Sequence, residues 1–274
     1  MNEKKLLGEA SEYNLDISDF YNDLKQDVLN VSYWFPKIEN CGIKVPQTFI
    51  KEIPVELFTH LFLDHPEEDI DYIYNWVKNE LMPSIPDDLR GLIFIKNGAF
   101  SNKFDFSTCS IRCNPLEITR SIAEINYASL MFDTGGNTEI VIRERIPFDE
   151  RITPTIYHGM PLRNEYRVFY DFDNRKVLYI ANYWDWDYCH DAISHNVTDK
   201  IVYEKVYNHL AERYVQNREK VMATVGEHMK NVELSGIWSV DILEDECHDF
   251  WLIDMALGHR SAYWNPEKAG VQNG

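Results

Sequence analysis

Residues 236–254 read GIWSVDILEDECHDFWLID. Two apolar runs, Ile237 to Leu243 and Phe250 to Leu257, flank a polar knot, Glu244-Asp245-Glu246-Cys247-His248-Asp249. Each run is rich in β-branched and aromatic residues and has the length of one strand, so the pair predicts a hairpin. Both runs are apolar on both faces, as in a sheet covered on each side. Each nevertheless carries one carboxylate, Asp241 in the first and Asp254 in the second. Folding about Glu246 and Cys247 brings the two nearly opposite. A buried carboxylate without a partner is costly, so two adjacent ones need a cation or a proton between them. A divalent metal carrying a phosphate meets that need. Hydrogen bonds from loop amides at a strand end would meet it too.

Working outward, 274 residues make one large domain or two small ones sharing a cleft. With 45% apolar and 14% aromatic residues the chain can bury a sizeable core, which excludes disorder. A net charge of -18 excludes a nucleic-acid scaffold, which needs broad basic surfaces, but permits a nucleotide, which needs only a few local cations. Six arginines (143, 145, 151, 163, 167 and 175) cluster in one stretch of this acidic chain. No apolar run approaches the roughly 20 residues of a membrane span, and the start has no signal-peptide core. The five cysteines are odd in number and scattered, as expected of reduced thiols in a cytoplasmic protein.

In chain order, residues 1 to about 35 read as helix, with Leu15, Ile17, Phe20, Leu24 and Val28 on its apolar positions. A second helix is expected from Pro66 to a break at Pro83-Ser84-Ile85-Pro86, the best domain boundary in the chain. Leu92 to Lys96 then reads as a strand and Asn114 as the cap of a helix, with Pro115 and Glu117 behind it. A further strand is expected at Glu139–Ile146, and Tyr166–Tyr170 and Val177–Tyr183 read as a hairpin about Asp171-Phe172-Asp173-Asn174. Thr198 to about Lys230 reads as helix, broken near Gln216-Asn217, and the tail from Lys268 as mobile.

Several residues are candidates for chemistry. Lys96 ends a strand beside a glycine-containing loop, a pattern that can hold a phosphate with backbone amides and one point charge. Glu165 and Arg167 share one face of their strand with Arg163, while Tyr166 and Val168 take the other. The pair reads either as an exposed ion-pair ladder or as a carboxylate for a ribose or ammonium beside a guanidinium for a phosphate. Asp185-Trp186-Asp187 has the form of a metal-nucleotide pair of many glycosyltransferases, or of a packed aromatic loop.

The ordered set of strand-lysine-glycine loop, Ile142-Arg143-Glu144-Arg145-Ile146, Glu165-Tyr166-Arg167-Val168-Phe169 and an aspartate hairpin ending Trp251-Leu252-Ile253-Asp254 resembles the ATP-grasp superfamily. The resemblance covers roughly residues 90 to 260. It is similar in particular to small members with an "EFRxF" strand, which include the cell-division-cycle family of translation-factor assembly chaperones. It implies an α+β ATP-grasp architecture, two α+β lobes gripping a nucleotide (87–267), preceded by a smaller N-terminal α/β segment (1–86) and followed by a tail (268–274). The resemblance further implies ATP and Mg²⁺ as cofactors. Lys96 would touch the α/β-phosphates, and Glu144, Arg145 and Ile146 would line the adenine pocket. Glu165 would face the nucleotide, Asp241 and Asp254 would hold Mg²⁺, and Arg167 or Arg260 would screen the transferring group. The family often has asparagine two residues after the second acid. Here that position is Ala256, which implies fewer metal ligands, a substitute from Asp245 or His259, or lost catalysis. The first expectation is a ligase that activates a small-molecule or peptide carboxylate as an acyl phosphate for attack by an amine or thiol. The second is a nucleotide-binding assembly factor acting on a protein partner without turnover. A third is a glycosyltransferase using Asp185 and Asp187. Neither nucleic acid nor a membrane is expected as a partner.

Overall fold

A computed structural model describes residues 17–62, 66–132 and 134–271 of the chain, without the side chains of 62–69. The fold is α+β and divides into two compact units. Among the described residues, one comprises those up to Tyr33 and those of Phe49–Asn102 and Thr108–Ile142; the other comprises Trp34–Thr48, Lys103–Ser107 and those from Arg143 onward.

The first unit holds a four-stranded sheet in the order β1-β4-β2-β3, where β1 is Thr48–Glu52, β2 Leu92–Asn97, β3 Ser110–Arg112 and β4 Glu139–Glu144. Leu57, Phe58, Ile73, Val77, Ile93, Ile95, Ile118, Ile122 and Ile140 form its core. The helix Pro115–Met131 starts where the sequence places it. Asn114 Oδ1 accepts the Glu117 N–H at 3.0 Å, and Asn114 Nδ2 donates to Glu117 Oε1 at 2.9 Å, a reciprocal cap that satisfies an otherwise orphaned helix amide. The expected break at 83–86 lies inside this unit, with Leu81, Ile85 and Leu89 in the same core as Ile93 and Ile95. The helix Pro66–Trp76 passes through a π-turn, Val77–Leu81, into Met82–Ser84, where Pro83 sits at the start of a turn and its missing N–H goes unneeded. The helical reading of residues 1 to about 35 is met by two helices, Ile17–Lys25 and Val31–Ile38; the part of that expectation before Ile17 lies outside the described residues.

The second unit holds a two-stranded sheet, β5 Thr155–Ile156 and β6 Met160–Pro161, and is built on an antiparallel sheet ordered β10-β9-β7-β8, with β7 Glu165–Asp171, β8 Lys176–Asn182, β9 Ile237–Glu244 and β10 Phe250–Leu257. Both expected hairpins are present. Alternation along β7 and β9 sends Tyr166, Val168, Val240, Ile242 and Glu244 to one face and Glu165, Arg167, Ser239 and Asp241 to the other. The first face is covered by the helix Val197–Met229, which runs unbroken for 33 residues. The expected break at Gln216-Asn217 is absent because Asn217 is a sheet-facing residue: its Nδ2 donates to Glu244 Oε2 at 2.8 Å and to Tyr166 Oη at 3.2 Å. A polar pair in a helical stretch reads as a break from sequence but serves here as an anchor. Beyond β10 a short helix, Pro266–Ala269, ends on Gly270 in the left-handed region, so Lys268 belongs to an ordered turn rather than a loose tail; residues 272–274 lie outside the described residues.

Candidate functional site

The charged face of β7, β9 and β10 gathers most of the expected site. In register, Arg167 lies opposite Asp241 across β7 and β9, and Asp241 lies opposite Asp254 across β9 and β10. That last pairing depends on a bulge. Leu252 pairs with Ile242 and Asp254 with Asp241, so Ile253 is the extra residue between them. Without the bulge Ile253 would oppose Asp241, and Asp254 would point to the helix-covered face, because a one-residue slip reverses every side chain. The carbonyl left over at Ile253 accepts a hydrogen bond from Arg143 Nη1. Arg143 is buried, 4% exposed, with its guanidinium 5.6 Å from the ring centres of both Trp34 and Phe35. Arg143 thus satisfies the backbone group that the bulge frees.

Arg167 grips Asp241 in a bidentate pair, Nε to Oδ1 and Nη2 to Oδ2, both at 2.7 Å. The side chains are only 12% and 9% exposed, so this is no surface ladder. Burial works against the arginine's charge, but the Asp241 carboxylate outweighs it and holds the guanidinium firmly protonated. Its remaining Nη1 donates to the Ala262 carbonyl at 3.3 Å, and its face lies 5.1 Å from the Tyr183 ring.

Glu165 is the exposed-ladder candidate that proved half-buried. Burial pushes its carboxyl up from 4.5 to about 7, and Asp241 adds to the rise, while Lys103, Arg163 and Arg167 pull it down. Among the described residues no hydrogen bond is made to this carboxylate, which leaves it an acceptor in need of a donor. The proton is held more tightly in the folded chain than in the unfolded one. The group therefore costs nothing below about 4.5, costs progressively more as pH rises to about 7, and costs a constant amount above that. Glu165→Gln is expected to gain stability over the parent across this window, measured by urea unfolding at several pH values. A stability difference that stays level across the window would return Glu165 to ordinary carboxylate behaviour.

Lys103 and Tyr183 complete the group, and sequence reading missed both. Lys103 Nζ donates to Tyr183 Oη and lies 4.8 Å from that ring's centre. Burial works against the ammonium, yet the Tyr183 phenol and the Glu165 carboxylate outweigh it and raise its pKa. The only signal was a lysine closing a glycine-containing loop, and nothing in that loop pointed to residue 183.

The remaining candidates fall elsewhere. Ala256 shares the face of Asp254 and stands opposite Ser239, whose hydroxyl is 2.7 Å from that of Ser261. Asp245 is no substitute ligand: its carboxylate accepts the amides of Cys247 and Asp249 and the Trp251 indole, all at 2.8–2.9 Å, and so shapes the hairpin turn. His259 and Arg260 are exposed on the turn after β10. Glu144 is tied down, its Oε2 accepting the Gln47 amide at 2.9 Å while its own N–H donates to the Gln47 carbonyl at 2.9 Å. Ile146 is buried. Arg145 turns its side chain to Glu150 at 2.7 Å.

In the first unit Lys96 is 3% exposed at the end of β2 and close enough to Glu139 to stabilise that acid's charge against burial. The loop behind it is not a set of waiting amides. Gly98 N–H donates to Asn137 Oδ1 at 2.9 Å, and the amides of Ala99 and Phe100 donate to Asn97 Oδ1 at 3.0 and 2.6 Å. A Cβ at Gly98 would meet Glu139 Oε1 at 2.4 Å and Asn137 Oδ1 at 2.6 Å, so this glycine packs closely on both side chains. Asp185 and Asp187 start the helix Trp186–Ile193 where a packed loop was one expectation, and Trp186 stacks on His190 and Tyr203 at 4.3 and 5.7 Å.

Among the described residues no group of three or more His, Cys, Asp or Glu side chains converges as a metal site. Mg²⁺ does not require one: it keeps several waters and takes one or two carboxylates together with substrate phosphates. Asp241 and Asp254 meet that donor set, provided Asp241 shares its oxygens with Arg167. All five cysteines are free, and among the described residues no helix is long and apolar enough to cross a membrane.

No family model matches the chain, and no curated protein matches it. Among solved structures the fold is similar to Cdc123 from Schizosaccharomyces pombe, at 17% identity over 85% of each chain with a TM-score of 0.48. It is also similar to the D-alanine–D-alanine ligase of Bacillus anthracis complexed with ATP, at 11% identity over 83% of this chain and a TM-score of 0.39. A third is the ATP-grasp ligase PsnB, at 8% identity over 90% of this chain and a TM-score of 0.36. The chain spans 52% and 57% of the lengths of these two ligases. These are likenesses of fold and carry nothing about residues or activity.

Proposed function

We propose that this protein binds a magnesium-nucleotide against the charged face of β7, β9 and β10 and uses ATP to activate a carboxylate as an acyl phosphate, which an amine or thiol then attacks. The observation behind this reading is the bulge-set pairing of Asp254 with Asp241, with Arg167 fastened to Asp241 and Glu165 beside it on the same face. Two carboxylates facing each other next to one guanidinium are suited to a cation and an anion bound together. In this reading Asp241 and Asp254 hold Mg²⁺, which when bound screens phosphate charge. Arg167, pre-oriented by its bidentate pair, presents its Nη1 edge to a transferring phosphoryl group, with exposed Arg260 a second candidate. Glu165 accepts from a ribose hydroxyl, and Glu144, Arg145 and Ile146 line the base, the last two through backbone groups. The acid substrate is a small molecule or a peptide.

A second reading, a nucleotide-binding assembly factor without turnover, is favoured by two specific features. Ala256 leaves a methyl group beside Asp254, and Arg167 already neutralises Asp241 without any metal.

Thermal unfolding of the purified protein with ATP, in the presence and absence of Mg²⁺, tests the nucleotide. ATP at about 100 times its dissociation constant is expected to stabilise the fold by about 2.7 kcal/mol, more weakly without the metal. No shift under either condition sinks both readings. A shift without release of ADP and phosphate in any carboxylate-amine mixture decides for the second.

A further inference from the structure

Arg145 and Arg163 stack on the same ring: their guanidinium carbons lie 4.5 and 5.5 Å from the centre of Phe148. They are close enough for each charge to weigh on the other, and burial together with Arg145 lowers the pKa of Arg163. Their polar contacts among the described residues are few. Arg145 Nη2 meets Glu150 Oε1 at 2.7 Å, and Arg163 Nη1 donates to the Pro147 carbonyl at 3.2 Å. The Nε of each is buried and, among the described residues, makes no hydrogen bond.

Desolvating two like charges side by side is unfavourable unless an anion offsets them. The acids nearby offset this only in part: Glu165, Glu246 and Asp245 favour the Arg163 charge, but burial together with Arg145 outweighs them. Glu150, 66% exposed, reaches only Arg145. Glu246 has Oε1 engaged by the Asp149 amide and the Thr153 hydroxyl, and Asp245 is spent on the hairpin turn. Glu165 attracts Arg163 through space but makes no direct ion pair with either arginine among the described residues. A cationic pair with flat donor edges, held on an aromatic platform in a chain of net charge -18, is a locally built exception to that charge.

We infer that Arg145 and Arg163 form an anion-binding site that takes the forked oxygens of a carboxylate or phosphate group. The ligand of this protein thus carries an anionic group recognised by side chains distinct from Arg167. Bound there, the anion accepts from the Nη edges of both guanidiniums and competes with Glu150 for Arg145.

Titration of inorganic phosphate and, separately, of succinate into the nucleotide-free full chain at constant ionic strength tests this, read by the arginine Nε–H signals in NMR. Saturable shifts of the Arg145 and Arg163 signals are expected, and whichever probe binds more tightly separates phosphate from carboxylate. Arg163→Gln and Arg145→Gln should each weaken binding about tenfold or more. Glu150→Gln, a surface change that removes the competing acid, should strengthen it and keeps the test valid if an arginine variant fails to fold. Unsaturable shifts, or a Glu150→Gln protein that binds no tighter, would overturn the inference. Because no nucleotide is present, its failure and that of the proposed ATP site are read separately.

Discussion

Glu244→Ala is expected to lower the unfolding free energy by about 3 kcal/mol, within the roughly 3–5 kcal/mol range for breaking a buried ion pair from one side. Glu244 is 5% exposed on the helix-covered face of β9. Its carboxylate accepts from Arg213 Nε at 2.9 Å, Tyr166 Oη at 2.9 Å and Asn217 Nδ2 at 2.8 Å, and His248 Nδ1 lies 2.9 Å away. Truncation leaves three donors around a void. The lower end applies because Arg213 is 26% exposed and can turn toward water, whereas Tyr166 and Asn217 cannot easily do so. Burial works against the carboxylate's charge, but Arg213 and Tyr166 outweigh it and hold its pKa below 4.5. The stabilisation is therefore complete above about 4.5 and fades as pH falls through the lowered folded value, so parent and variant should converge in acid. Urea unfolding of both proteins across this range checks the size and the sign. A loss under about 1 kcal/mol would mean that the helix and sheet are held by their apolar contacts alone.

Asp254→Asn is expected to abolish the Mg²⁺ dependence of nucleotide stabilisation. The reason lies in the difference between the two aspartates. Asp241 is the buried counter-ion of Arg167, so changing it would also unfasten the guanidinium and confuse fold with function. Asp254 is half-buried, and its Oδ1 accepts its neighbour Met255's amide at 3.1 Å, a bond that asparagine can keep. Any carboxylate-dependent release of ADP should fall by about 100-fold or more, since even partners one shell beyond a metal ligand are worth 10–100-fold. An unchanged metal response in calorimetric titration would return Asp254 to a structural role.

The expected elements survived where a local pattern carried them. The strand runs of 237–243 and 250–257, the Asn114 cap and the hairpin about 171–174 are all written within a few residues of where they act. Alternation along 165–169 put Glu165 and Arg167 on one face, and the register confirms that face. What failed were readings that needed a partner far along the chain. Gln216-Asn217 reads as a break until Glu244 and Tyr166 are brought beside Asn217. Gly98 reads as part of an open loop until Asn137 and Glu139 fill the space around it.

By itself, then, the chain's order of residues determined where the strands of the two hairpins lie and which face of β7 is charged, because side-chain direction in a strand follows a period of two. Three matters were left to the tertiary structure. One was that Asp241 belongs to Arg167 before it belongs to any metal. Another was that Lys103 and Tyr183, 80 residues apart, share Glu165's surroundings. The third was the bulge at Ile253, held through Arg143, which alone turns Asp254 toward Asp241. A bulge costs no particular residue type, so no local pattern announces it; it exists because a distant buried guanidinium satisfies the carbonyl it frees.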